Sequence, residues 1–271
     1  MPTILIPDVH GRTFWTKAIP YIKRGIPTIF LGDYHDPYPH EGILTGDSLL
    51  NFRNILSTAY TFKNVMLLLG NHDMTYFADP SFCDCRKDAL NAAALRNLFS
   101  TYKFKLCTSV KTKDKHFLIS HAGITKPWFD KVKIFYSNNR ISPLDAIFET
   151  TISPDDELIC SSINNILECF CNNFAKEDAG DILKTISCAR GGTSDYGSVI
   201  WADYYEFVQH PEYMLPYDQI VGHTMQLDVE YQEGSVKYKF GNALTAYNTN
   251  VTCIDTARCY ILTDDGELDI L

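Results

Sequence analysis

Five short groups in this 271-residue chain carry side chains that could do chemistry together: Asp8 and His10 in "PDVHG", Asp33 and Asp36 in "GDYHD", Asn71, His72 and Asp73 in "GNHD", His121 in "SHAG" and His223 in "GHT". Taken singly, each is ordinary turn composition, since Asp, Asn and Gly favour turns for local reasons. Taken together, they share a context: each ends an apolar stretch. Carboxylate, amide and imidazole donors in mixture suit borderline divalent ions such as Mn, Fe or Zn, whereas a thiolate set would point to structural zinc.

The stretches that place these groups read as buried strands. Thr3 to Pro7, Pro27 to Leu31, "VMLLL", "HFLIS" and "DQIV" are apolar runs without the polar alternation of a half-exposed strand. In open α/β sheets the carboxyl ends of strands are where ligands bind, so the position of the polar groups fits their chemistry. Between the strands lie helix-like segments: "RTFWTKAIPYIKR" with Pro20 inside it, "TGDSLLNFRNILSTAYTF" with Thr45 or Asp47 as N-cap, and residues 86 to 100. The alternation is that of an α/β domain. From about 127 to 190 it breaks, and "DELICSSINNILECFCNNF" and "DAGDILKTI" predict a helical insertion decorating one domain that spans 1–271. Strands then return in "SVKYKF", "VTCIDT" and "RCYILTD".

Composition narrows the class further. A formal charge of −9 and a pI near 5.3 argue against a broad nucleic-acid surface, though not against a local cationic pocket. Nine cysteines, an odd number, with no secretory signal in "MPTILIPD", predict reduced thiols and a cytoplasmic protein. No apolar run approaches the roughly 18 residues of a membrane span.

In the order Asp-x-His, Gly-Asp-x-x-Asp, Gly-Asn-His-Asp, His-Ala-Gly, Gly-His-Thr, the set strongly resembles the calcineurin-like metallophosphoesterases. That resemblance implies a four-layer α/β/β/α sandwich with two mixed sheets and a two-metal site at the strand ends. It implies that Asp8, His10 and Asp33 hold one divalent ion, and that Asp33 bridges to a second held also by Asn71, His121 and His223. Two such ions would share a hydroxide nucleophile for in-line attack at phosphorus. His72 resembles the family's general acid and Asp36 the carboxylate that orients it. His35 reads as a loop histidine, with a phosphate contact as the alternative.

The last motif, with Met225 where many nucleases and phosphodiesterases of the family carry a second histidine, resembles the branch of phosphoprotein phosphatases and symmetrical diadenosine tetraphosphate hydrolases, as do "SVIWAD" and "CIDT". Two positions depart from that branch: Pro37 replaces the arginine after Asp36, and Asp73 replaces a glutamate. A guanidinium is the natural bidentate clamp for phosphate, so another cation is expected to serve, with Arg190 in "CARGG" first and Arg12 second. The reading is a dinuclear phosphoesterase acting on phosphomonoesters, either a phosphoprotein or a small phosphorylated metabolite. Its alternatives are a dinucleoside polyphosphate or phosphodiester hydrolase, and a metal-bearing scaffold without turnover.

Overall fold

The opening strand shows how the architecture follows from the apolar runs. In β1 (Thr3–Ile6) every residue is buried, and the strand's twofold alternation divides them between two cores. Ile4 and Ile6 point to the helical side, and Leu5 points into the interface between two sheets. The same division recurs in β2 (Thr28–Phe30), where Phe30 faces the helices and Ile29 faces the interface. It continues past β3 (Val65–Leu67), where Leu67 and Leu69 face one way and Leu68 the other. A strand covered on both faces has no use for polar alternation.

A computed structural model describes residues 1–78, 85–141, 155–232 and 235–271, with backbone alone for the described part of 229–239. Two mixed sheets of five strands lie face to face. The first has the order β12 (Leu268–Ile270), β11 (Tyr260–Leu262), β1, β2, β3, with β1, β2 and β3 parallel. The second runs β4 (Cys107–Lys111), β5 (His116–Ser120), β6 (Asp218–Val221), β10 (Val251–Cys253), β9 (Leu244–Thr245), with β5, β6 and β10 parallel. A hairpin of β7 (Leu227–Gln232) and β8 (Ser235–Phe240) stands beside them. Leu5, Leu31 and Leu68 from one sheet meet Phe117, Ile119 and Ile220 from the other. With helices outside, this is the α/β/β/α sandwich.

The helices depart from the sequence reading at their ends. "RTFWTKAIPYIKR" forms a 3-10 turn, Phe14–Ala18, and then only the short α1 (Ile19–Ile22). Pro20 explains the break: with no N–H and a fixed φ, it is tolerated in a first turn but not in mid-helix. α2 (Thr45–Thr61) starts after Leu44, so neither Thr45 nor Asp47 is its N-cap; Asp47 sits in the first turn instead, where its charge complements the positive end of the helix dipole. α3 (Asn71–Phe77) follows "LLG" directly, and the helix expected over 86 to 100 is the shorter α4 (Ala92–Phe99).

Within 127 to 190 three helices are described: α5 (Lys126–Asn139), α6 (Asp156–Cys171) and α7 (Lys176–Leu183); residues 142–154 lie outside the described residues, as does Cys83. α6 packs directly on β4 and β5. Its Asn164 accepts from the Leu106 N–H at 2.7 Å and donates to the Cys107 carbonyl at 2.9 Å. Trp128, fully buried, ties α5 to α7 by donating from Nε1 to the Ile182 carbonyl at 3.0 Å. The last helix, α8 (Tyr204–Gln209), begins at Asp203 in a capping box with Glu206. Cys107, Cys160, Cys169, Cys171, Cys188, Cys253 and Cys259 are free thiols. Among those residues no helix is long and apolar enough to cross a membrane.

Trp128→Ala should cost about 3–5 kcal/mol, the range for deleting a large buried aromatic, because it empties the α5–α7 contact and strands the Ile182 carbonyl. Urea unfolding measures it; a loss below about 1 kcal/mol would mean that this contact does not hold the layer together.

Candidate metal centre

Every polar group singled out in the sequence lies at the carboxyl end of a strand, on one rim of the paired sheets. The turns there are tight. Among the described non-glycine residues eight have positive φ, and four of these are His10 (45°), Asp33 (52°), Asp36 (57°) and His223 (62°). Such conformations are uncommon for side-chain-bearing residues and concentrate where the surrounding structure over-determines them for function. Here each re-aims a side chain inward just as its strand ends.

The close approach depends on two glycines that stand in the motifs but to which the sequence reading gave no role. A Cβ on Gly70 would stand 2.1 Å from Asp33 Oδ1 and 2.7 Å from His121 Cε1. One on Gly222 would stand 2.2 Å from Asp8 Oδ1. Each glycine immediately precedes a predicted ligand, Asn71 or His223, and that adjacency was the signal available in the sequence.

The donors converge. His121 Nε2 lies 3.0 Å from Asn71 Oδ1, 3.0 Å from His223 Nδ1 and 3.6 Å from Asp33 Oδ2. His10 Nε2 is 3.4 Å from the same Asp33 oxygen. Ligand atoms within 4.8 Å of one another form two groups: Asp8, Asp33, His121 and His223 in one, His10, Asp33 and His72 in the other. Asp33 belongs to both. Asp8, which the resemblance gives to the first ion with His10, falls here with His121 and His223. All of these side chains except His223 are buried, and the Nε2 of His223 is itself buried with no partner.

The tautomers explain why protons alone would not satisfy this cluster. His121 Nδ1 faces the Leu31 carbonyl at 3.0 Å, and His10 Nδ1 faces the carbonyls of His35 and Asp36, each at 3.1 Å. A carbonyl only accepts, so both rings carry their proton on Nδ1 and turn an Nε2 lone pair inward. His121 Nε2 and Asn71 Oδ1 then oppose lone pair to lone pair at 3.0 Å. A cation between them resolves the repulsion, so the residues present fit a divalent metal. Electrostatics agree. Burial, with Asp8 and Asp73 adding to it, pushes the Asp33 carboxyl well above the usual carboxylate range, and burial holds His10, His121 and His223 low, in the neutral form that ligates.

Beside the cluster, His72 Nδ1 meets Asp36 Oδ2 and the Arg86 carbonyl, both at 3.2 Å, which leaves Nε2 for the site. Asp36 is held in turn by the Tyr76 hydroxyl at 2.7 Å and the Asp88 N–H at 3.1 Å. Asp73 is a brace: its carboxylate accepts from the N–H groups of Asp33 (2.7 Å), Gly70 (2.9 Å) and Tyr34 (3.1 Å), joining two turns. His35 is a loop histidine, as the sequence suggested, but a buried one whose ring is occupied by protein partners. Its Nδ1 lies 2.8 Å from Ser48 Oγ and its Nε2 3.2 Å from Asp88 Oδ2, so it links α2 to the loop before α4.

Residues 1–227 match the family model described as calcineurin-like phosphoesterase. The chain belongs to that family. No curated protein matches it. Among solved structures, one assigned as a 5'-nucleotidase from Staphylococcus aureus in complex with alpha-ketoglutarate aligns with 100% of this chain and 52% of its own, at 14% identity and a TM-score of 0.35. This calcineurin-like chain therefore spans about half the length of that protein, and so low a score carries no argument about activity.

Three arginines surround the calcineurin-like site. Arg190 donates from Nη2 to Thr224 Oγ1 at 2.6 Å and to the His223 carbonyl at 3.3 Å, with Nε 2.7 Å from Asp203. Arg12 pairs with Glu41 at 2.9 Å and donates to the Asp8 carbonyl at 3.3 Å, leaving a buried terminal nitrogen without a partner. Arg86, absent from the sequence reading, donates to the Asp36 carbonyl at 3.1 Å and lies 3.8 Å over the Tyr38 ring. No motif pointed to it. Asp255 of "CIDT" was also overlooked: it is buried, and burial together with Asp8 pushes its carboxyl well up.

Gly70→Ala should leave a folded protein that no longer binds Mn at stoichiometric level, because the new methyl stands where Asp33 and His121 meet. Circular dichroism with elemental analysis reads both properties, and full occupancy in a folded variant would show that the close approach is not needed.

Proposed function

We propose that the protein is a dinuclear metal-dependent phosphoesterase that hydrolyses phosphomonoesters. The observation that carries this reading is the convergence of nitrogen and oxygen ligand atoms on His121 Nε2, with Asp33 common to both donor groups. Asp8, His10 and Asp33 would hold one Mn, Fe or Zn ion, and Asp33, Asn71, His121 and His223 the other. Bound there, the ions would polarise the phosphoryl oxygens and activate a water for in-line attack.

The chain's own residues supply the remainder. His72, with its Nδ1 proton engaged by Asp36 and the Arg86 carbonyl, presents Nε2 to donate a proton to the departing alkoxide. His72 also lies within ligand distance of His10 and Asp33, so metal content separates the two roles. Asp36 orients that imidazole and stabilises its charged form. Arg190 and Arg12, with Arg86, supply positive charge for the phosphoryl oxygens from three segments, in place of the arginine that Pro37 displaces. Met225 in the last motif, where diester-cleaving relatives resemble one another in a second histidine, supports a monoester substrate.

The Mn-loaded protein should turn over p-nitrophenyl phosphate faster than bis-p-nitrophenyl phosphate; the reverse order would favour the diesterase, and no turnover of either would favour a scaffold. Asp33→Asn should abolish turnover and lower metal occupancy, and a variant holding two ions with near-normal rate would remove Asp33 as the bridge. His72→Ala should keep its metals while kcat falls about 10²–10⁴-fold, less for p-nitrophenyl phosphate than for an alkyl phosphate with its poorer leaving group. Loss of metal on His72→Ala would make His72 a ligand.

A further inference from the structure

Asp36 divides its two oxygens between two directions. Oδ2 faces His72 Nδ1 at 3.2 Å, while Oδ1 accepts from the Tyr76 hydroxyl at 2.7 Å and from the Asp88 N–H at 3.1 Å. The same Asp88 N–H reaches the Tyr76 oxygen at 2.6 Å. Proton directions follow, because a carboxylate only accepts and an N–H only donates: the phenol donates to Asp36 and accepts from Asp88. Tyr76 stands four residues after His72 on α3, a spacing that places both on one helix face. α3 therefore presents the imidazole and the hydroxyl side by side, and a carboxylate carried by another turn spans them.

The partners of that carboxylate are themselves held. Tyr76 is buried, its ring stacked on Phe99 of α4 at 6.1 Å with 6° between the planes, and edge-on to His35 at 6.2 Å. Asp88 is fixed through its own carboxylate: Oδ1 accepts from the N–H groups of Leu90 at 3.0 Å and Asn91 at 3.1 Å, and Oδ2 lies 2.6 Å from Asn91 Nδ2 and 3.2 Å from His35 Nε2. The last torsion of an aspartate is broad, so without such partners Asp36 would not keep one oxygen on His72. Pinning Oδ1 aims Oδ2, and aiming Oδ2 aims the ring. Reaction is sensitive to such aim, since a misplacement of about 1 Å can cost on the order of 10²-fold.

We infer that Tyr76 is a positioning residue for proton donation: acting through Asp36, its hydroxyl holds the His72 imidazole with Nε2 toward the leaving group. This rests on the phosphoesterase reading, in which His72 is the acid. The consequence is selective, because Tyr76 then matters for a leaving alkoxide that needs a proton and little for one that departs as a stable anion.

Tyr76→Phe keeps the ring and removes only the hydroxyl. On Mn-loaded protein, kcat should fall about tenfold for butyl phosphate with KM and metal content unchanged, and less than about twofold for p-nitrophenyl phosphate. In a His72→Ala background the added Tyr76→Phe should change kcat on butyl phosphate by less than about twofold, since residues that act through one proton are not additive. Equal losses on the two substrates, an additive loss in that background, or a variant that unfolds or sheds its metals would make the hydroxyl a support of the fold and overturn the inference. NMR of Zn-loaded protein labelled with 15N-histidine adds an arm that needs no turnover. The His72 Nδ1–H signal, assigned by its absence from His72→Ala, should broaden or move upfield in Tyr76→Phe. That change, without turnover of any phosphoester by the wild type, would keep the positioning of His72 and remove the phosphoesterase reading. Turnover with an unchanged signal and equal losses would keep that reading and remove Tyr76 from it.

Discussion

Asp8 and Asp33 are buried carboxylates with oxygens within 4.8 Å of each other, and the rim of this protein is arranged around that fact. Two unit charges at such a separation repel by on the order of 3–4 kcal/mol even at an effective dielectric constant of 20. Protonation would relieve the repulsion, and the rise in the Asp33 carboxyl's pKa shows the pressure toward it. Donors relieve it in another way. The His72 N–H donates to Asp33 Oδ1 and the His223 N–H to Asp8 Oδ1, both at 3.0 Å. Neither donor neutralises a charge. A divalent cation would, and the neutral imidazoles turned inward around the carboxylates offer lone pairs to such an ion rather than counter-charge to the carboxylates.

From that constraint the local backbone follows. A side chain leaving the end of a pleated strand ordinarily points across the sheet, not along it. To bring Asp33, His10 and His223 to one point, the chain bends through left-handed conformations at those residues, and glycines stand where the ligand atoms pass. Strained turns need holding. Asp73 does this with three backbone N–H acceptances that join the end of β2 to the start of α3. A glutamate at this position would place one more methylene between α3 and the same N–H groups.

The strands were legible in the sequence because burial on both faces leaves an unbroken apolar run, and the donor groups because each closes such a run. Helix ends were less legible. They depend on hydrogen bonds that compete at single residues, as Pro20 and Leu44 show. Least legible were residues that act on the site from a distance in sequence: His35 read as a loop histidine with no sign that its ring would brace α2, whereas Arg86 looked like any charged residue and lies beside Asp36. Spacing along the chain reports what a single turn presents. Side chains that arrive from another segment leave no periodic trace.

Pro37 illustrates how the fold compensates. A guanidinium attached just after Asp36 would be carried by the turn itself. With proline there, the guanidinium of Arg86 reaches the Asp36 carbonyl from the segment that precedes α4 and is steadied by the Tyr38 ring, which Arg12 also approaches, at 5.5 Å. Tyr38 thus gathers two cations beside His10, whose ring stands edge-on at 4.9 Å. Those charges have an electrostatic effect on the cluster: Arg12 and Arg86 both help to hold His10 neutral, and Arg190 does the same for His121 and His223. Positive charge brought in from outside the turn therefore serves two ends. It keeps the imidazoles in their ligating form, and it surrounds the cluster with the charge a phosphoryl group would meet on entering.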